Sequence, residues 1–292
     1  MYTPNQILTG IKNPKAGMFE LLKVINKRKA INVSKKDWDN LIILDACRYD
    51  LFKEVNTLPG ELTPVRSLGS KTGEFLKENF GDSRYPGTVY ISANPQVQLH
   101  NIDRRFYDRL RLWEDEWNDD LRTVLPEAVV TRTLQAAEKY PHKRLIIHFI
   151  QPHYPFIGKT GRQIEHGEMI GDGLIANERT APTVWERLEE GEIERSAAWK
   201  AYQENLELTL PHVKELLDGL NGKSILTSDH GNAFGEWEIF GHPASRHINA
   251  LIEVPWVEIM ADDRKEIQEG EVRATTDETS DLQDRLTHLG YQ

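Results

Sequence analysis

Two short stretches decide how this 292-residue chain is read: Asn40-Leu-Ile-Ile-Leu-Asp45 and Lys223-Ser-Ile-Leu-Thr-Ser-Asp-His-Gly231. In each, a run rich in apolar residues stops at an acidic one. Short apolar runs bounded by polar or breaking residues fit strands buried on both faces, as in parallel sheets. A third such run, Arg144-Leu-Ile-Ile-His-Phe-Ile150, ends in Gln151-Pro152-His153. Helical apolar spacing lies between them, at 127–139 and at 196–219, where Pro211 is expected to kink or break the helix. Alternating helices and strands predict an α/β fold with a mostly parallel sheet.

All three runs deliver an Asp or His at or just beyond the C-terminal end. That is the edge at which open α/β sheets bind ligands. Asp229 and His230 offer a hard oxygen and an imidazole nitrogen, a mixture suited to a divalent ion, and Gly231 permits a tight turn. Asp45 offers a second carboxylate. A capping role competes for it, because Ala46 to Phe52 reads as the start of a helix. Ser70, Lys71 and Thr72 precede a further helical pattern. A hydroxyl there sits where backbone N–H groups favour anions, and a metal-bound hydroxyl ionises easily into a nucleophile. An ordinary helix cap explains the same residues.

Composition narrows the class. With 39% hydrophobic and 28% charged residues the chain reads as an ordinary globular protein. A formal net charge of -10 argues against a nucleic-acid partner, which would want a basic surface. The single cysteine, Cys47, rules out a disulfide framework within the chain. Polar and charged residues break up the first 30 positions, and no apolar run approaches the ~20 residues needed to cross a bilayer. The expectation is a cytoplasmic protein. Residues 18–30, MFELLKVINKRKA, read as an amphipathic helix packed on the domain surface, with a peripheral membrane contact as the second reading.

The expected organisation is a helical extension over 1–37, a catalytic domain over 38–262, and a tail over 263–292 that docks back on the domain. Within the domain, 159–195 is rich in glycine and charge and reads as an insertion over the rim. In the tail, 263–281 reads as a polar surface linker and 282–291 as a small docking helix.

The segments NLIILDACRYD (40–50), SLGSKTGEF (67–75), HFIQPHYPF (148–156), LTSDHG (226–231), GHPASRH (241–247), VPWV (254–257) and DRLTHLGY (284–291) occur in an order that resembles the alkaline phosphatase superfamily. More narrowly, they look like its sulfatase-like members in archaea and bacteria. The resemblance covers most of 38–291. It implies an alkaline-phosphatase-like sandwich, a central sheet flanked by helices. It also implies that Asp45, Thr72, Asp229 and His230 hold one divalent metal ion, with zinc or manganese favoured and calcium or magnesium compatible. Thr72 would also be the nucleophile, with Ser70 as the alternative. His153 would contact substrate. His242 would be a second-metal ligand or proton donor to the leaving group. Lys71 and Arg48 could neutralise anionic charge, although a salt bridge to Asp50 explains Arg48 equally well.

The chain departs from true sulfatases in having no Cys-x-Pro-x-Arg or Ser-x-Pro-x-Arg segment for formylglycine formation. Ala46 stands where many sulfatases have a second Asp. The Asp-x-x-x-His of two-metal members is missing, leaving His148, His153 and His242 as a poorer second set. The implied function is hydrolysis of phosphate or sulfate esters by a Thr nucleophile. One alternative is a transferase moving a phosphate-containing head group onto a glycan or lipid, and another is a non-catalytic binding protein on the same fold. Partners would be small-molecule, glycan or lipid esters.

Overall fold

The computed structural model describes residues 14–165, 182–272 and 282–290. Seven strands form the main sheet: β1 (Asn40–Asp45), β2 (Glu61–Arg66), β3 (Tyr85–Ser92), β4 (Phe106–Arg111), β5 (Arg144–Pro152), β6 (Ser224–Ser228) and β7 (Glu253–Ile259). Their spatial order is β2-β7-β6-β1-β5-β3-β4. β1 pairs in parallel with both β5 and β6, and β3 in parallel with β4 and β5. β7 runs antiparallel to both of its neighbours. The three strands read from the sequence are therefore the adjacent centre of the sheet.

Every residue of β1 is buried, because both sheet faces are covered. Alternation along the strand sends Ile42 and Leu44 into one core and Leu41 and Ile43 into the other. The first core is closed by helices α2 (Tyr49–Val55), α4 (Pro126–Lys139) and α5 (Arg195–Gly219). The second is closed by α3 (Thr72–Phe80) through Phe75, Leu76 and Phe80. Each such aliphatic side chain contributes about 2 kcal/mol on burial. The result is a three-layer α/β sandwich, as expected.

Several local expectations need correction. α5 runs unbroken from Arg195 to Gly219 through Pro211. Leu206, Leu210, Val213 and Leu216 are buried on both sides of the proline, so packing outweighs the lost backbone bond. The helix after β1 starts at Tyr49, with Arg48 as its cap residue. Ala46 takes a left-handed backbone (φ 57). Asp45 is therefore not a helix cap.

The described ends of 159–195 pack on the domain. Helices Lys159–Glu165 and Val184–Glu189 both contact α5, and Val184, Leu188 and Ile193 are buried. Residues 166–181 of that segment lie outside the described residues. In the tail, residues 263–272 carry no helix or strand but are anchored, with Arg264 on Asp37 at 2.8 Å and Lys265 on Asn40 Oδ1 at 2.7 Å. Leu286 in helix Leu282–His288 and Leu289 just after it are buried. Residues 273–281 and 291–292 lie outside the described residues. The N-terminal helix, α1 (Pro14–Lys27), packs on the domain through Phe19 and Leu22.

Candidate metal centre

Strand register brings the site together. Leu44 lies opposite Ser228, and Asp45 opposite Pro152. The backbone N–H of Asp229 reaches the Leu44 carbonyl at 3.3 Å, and that of His153 reaches the Asp45 carbonyl at 3.1 Å. Asp45, His153 and Asp229 thus leave three adjacent strands at one level of one rim.

Asp45, Asp229 and His230 are fully buried. Among the described residues they form the one group of three acidic, His or Cys side chains whose ligand atoms lie within 4.8 Å of one another. Nε2 of His230 is 3.6 Å from Asp45 Oδ1, 3.4 Å from Asp229 Oδ2 and 3.2 Å from Thr72 Oγ1. The far ring nitrogen, Nδ1, is 2.9 Å from the Gly231 carbonyl. A carbonyl can only accept, so Nδ1 carries the proton and Nε2 presents its lone pair to the carboxylates.

Asp229 Oδ1 is occupied, accepting from the N–H of Ala46 at 2.9 Å and of His230 at 2.7 Å. Asp229 Oδ2 is buried with no hydrogen-bond partner among the described residues. Two buried carboxylates and an imidazole lone pair facing one point repel one another unless a cation lies between them. The residues present therefore fit a divalent metal ion.

Thr72 is the first residue of α3, with Lys71 as the extended cap residue. It is fully buried, and its hydroxyl faces His230. Ser70 faces elsewhere. Its hydroxyl donates to Glu74 Oε2 at 2.9 Å or to the Pro243 carbonyl at 3.1 Å, and it accepts from the N–H of Arg246 at 3.2 Å. Of the two candidate hydroxyls, Thr72 is the one at the carboxylate–imidazole group.

Gly73 follows because the next turn passes under His100: a Cβ there would lie 2.2 Å from the His100 ring nitrogen Nε2. Gly231 is also needed for close approach, since a Cβ would lie 2.3 Å from the Ala250 carbonyl oxygen. Its φ is not left-handed, so the tight-turn argument from sequence does not hold for it.

His153 and His242 meet directly, Nε2 to Nε2 at 2.8 Å, and the His242 ring lies 4.7 Å from that of His230, centroid to centroid. Burial pushes the His153 imidazole down to about 4 and that of His242 well below its ordinary value, helped by the neighbouring histidines. Both are neutral at pH 7. His153 Nδ1 lies 2.5 Å from the Tyr154 carbonyl, so it holds the ring proton, and His242 must donate to His153 Nε2. His148 stands apart, with Nδ1 3.0 Å from the Tyr90 hydroxyl. Among the described residues it does not join the other two histidines in a metal-holding group.

Arg48 is committed elsewhere. It pairs with Asp50 at 2.6 Å and Glu236 at 2.8 Å and lies over the Trp199 ring. The salt-bridge reading of Arg48 is the one realised.

Asn94 was missed by sequence reasoning. Its Nδ2 donates to Asp45 Oδ2 at 2.5 Å. The signal was present: Thr88-Val-Tyr-Ile-Ser-Ala-Asn94 is another apolar run with a polar residue just past the end of a strand, here β3. Ser67, whose hydroxyl donates to the Asp229 carbonyl, has no comparable signature.

No family model matches the chain, and no curated protein matches it by sequence. Solved structures do match. The soluble domain of lipooligosaccharide phosphoethanolamine transferase A from Neisseria meningitidis superposes with a TM-score of 0.53 at 13% identity, over 76% of each chain. The C-terminal periplasmic domain of EptC from Escherichia coli gives 0.51 at 12% identity, over 80% of this chain and 75% of that one. A 2-O GAG sulfatase matches at 0.45 and 11% identity, over 77% and 64%. With its seven-stranded, mostly parallel sheet between helical layers, the chain shares the α/β fold of these two phosphoethanolamine transferase domains.

Proposed function

We propose that this chain is a metal-dependent hydrolase of phosphate or sulfate esters with the Thr72 hydroxyl as nucleophile. The observation that carries the reading is the 3.2 Å approach of Thr72 Oγ1 to His230 Nε2, beside the buried carboxylates of Asp45 and Asp229. Those four residues would hold the ion. Their mixed oxygen and nitrogen donors suit zinc or manganese better than calcium or magnesium, which prefer oxygen alone. When bound, a divalent ion supplies positive charge that eases ionisation of the hydroxyl and offsets the charge of a tetrahedral ester.

The protein's own groups do the positioning. Asn94 fixes the Asp45 carboxylate, and the Gly231 carbonyl fixes the tautomer of His230. The N-terminal end of α3 adds a favourable field for an anion at Thr72. Thr72 gives up its proton, and its oxygen bonds to phosphorus as the bond to the ester oxygen breaks. The proton lost by Thr72 passes to solvent water, and the leaving alkoxide takes up a proton from solvent, because the one N–H of neutral His242 is held by His153 Nε2. Water then cleaves the phosphothreonine and releases phosphate. An unmodified threonine favours phosphate over sulfate, because the chain has no formylglycine segment.

The test is metal content followed by turnover of p-nitrophenyl phosphate, bis-p-nitrophenyl phosphate and p-nitrophenyl sulfate, with Asp229→Ala as control. Metal-dependent release of p-nitrophenol from a phosphate ester supports the reading. Release that persists after chelation contradicts it. Product appearing only when an acceptor alcohol is added, with none in water alone, assigns the second step to transfer.

A further inference from the structure

The first described helix, α1, carries two apolar faces: Phe19 and Leu22 pack on the domain, and a second apolar stripe lies to one side of them. At ~100° per residue, Pro14, Gly17, Met18, Leu21, Val24 and Ile25 fall within one stripe about 120° wide. Leu21 and Ile25 of that stripe face outward, 43% and 42% exposed, while Gly17, Met18 and Val24 are half-buried. Several polar side chains of α1 reach the domain. Lys23 Nζ donates to Ser245 Oγ at 2.9 Å, Asn26 Nδ2 to the His247 carbonyl at 2.7 Å, and Lys27 pairs with Glu78 at 2.6 Å. Lys15 pairs with Glu238. Phe19 and Leu22 already dock the helix, so Leu21 and Ile25 are apolar surface beyond what that docking uses.

Something apolar therefore belongs on the outer face, and charge says what kind. Arg28 and Lys29 follow the helix directly, and both are exposed, in a chain whose net charge is -10. A protein this acidic is repelled by an anionic surface except where cations are gathered next to an apolar face. No helix of the described residues is long and apolar enough to cross a membrane. We propose that α1 lies flat on an anionic lipid bilayer, with Leu21 and Ile25 in the acyl boundary and Arg28 and Lys29 among the headgroups.

The location gives the contact a use. Lys23 and Asn26 tie α1 to Ser245 and His247, in the same segment that carries His242. Bilayer contact would bring that side of the site rim close to lipid headgroups. The docking does not depend on the catalytic reading, because vesicle binding is measured without turnover.

The test is co-sedimentation of the full chain with vesicles of phosphatidylglycerol and phosphatidylcholine, against pure phosphatidylcholine vesicles. Preferential binding to the anionic vesicles is expected, weakened by salt. A Leu21→Ser/Ile25→Ser double variant should lower it on the order of tenfold or more. An Arg28→Glu/Lys29→Glu variant should abolish the lipid preference. Circular dichroism checks that both variants keep the fold. Absence of vesicle binding by the full chain overturns the proposal, as does undiminished binding by the Leu21/Ile25 variant. Self-association that the Leu21/Ile25 substitutions abolish, with no vesicle binding, also overturns it and assigns the face to a second copy.

Discussion

Oγ1 of Thr72 lies 3.2 Å from Nε2 of His230, although 158 positions separate the two residues in the chain. One stands at the start of a helix in the second layer, the other just past the end of a central strand. Their meeting turns a helix-start hydroxyl into a group that shares a buried point with two carboxylates. The fold supplies the coincidence through the parallel register of β1, β5 and β6.

Asp229→Asn separates metal binding from folding. The amide oxygen can still accept from Ala46 and His230, while the carboxylate charge at the unpaired oxygen is lost. Metal content by elemental analysis should collapse. Stability of the metal-free protein in urea should equal or exceed that of the metal-free parent, because one of two buried like charges is gone. Full metal occupancy in this variant would contradict the ligand assignment.

Asn94→Ala removes the hydrogen bond that orients Asp45. Metal affinity, measured by competition with a chelating dye, should fall about 10–100-fold. Unchanged affinity would show that Asp45 is held by other means.

Gly73→Ala forces a methyl group to within 2.2 Å of the His100 ring nitrogen. A cost of about 1–3 kcal/mol is expected in urea unfolding. Adding His100→Ala should recover part of it. Equal losses in the single and double variants would place the strain elsewhere.

Acid should begin to destabilise the fold at a pH above the ordinary carboxylate range. Burial pushes His100, His148 and His247 down to about 4 from an ordinary value of 6.5. In that window the unfolded chain binds protons that the folded chain refuses. Stability is therefore fully present above about pH 6.5 and falls as pH drops towards 4, by up to roughly 1.4 kcal/mol per pH unit for each such group. Urea midpoints at several pH values, taken with a chelator present, should show this fall. A flat profile would mean that these rings are solvated.

Much of this was legible because burial and chemistry alternate so sharply along the central strands. Leu41 to Leu44 could be nothing but a core strand, and the acid ending it had to lie at the ligand edge. Asp229 and His230 were readable for the same reason. β2 and β4 carried no comparable signal, because they are edge strands with half-buried, polar-rich sequences.

Pro211 does not break its helix, because the buried leucines on both sides of it hold the helix together, which local backbone chemistry alone does not reveal. The choice between Thr72 and Ser70 was beyond one-dimensional reading. It depends on Glu74 and the 243–246 segment capturing Ser70, a contact across more than 170 positions. Asn94 was readable by the rule that found Asp45. It was passed over because an amide is a less familiar signal at a strand end than a carboxylate.

The central claim is that Thr72 takes the phosphoryl group. The direct measurement is acid quench of the metal-loaded protein during turnover of p-nitrophenyl phosphate, followed by mass spectrometry of the peptide spanning 67–77. A phosphate adduct on Thr72 is expected, absent in Thr72→Ala, whose turnover should fall roughly 10³-fold or more. An adduct on Ser70, or undiminished metal-dependent turnover in Thr72→Ala, would contradict it.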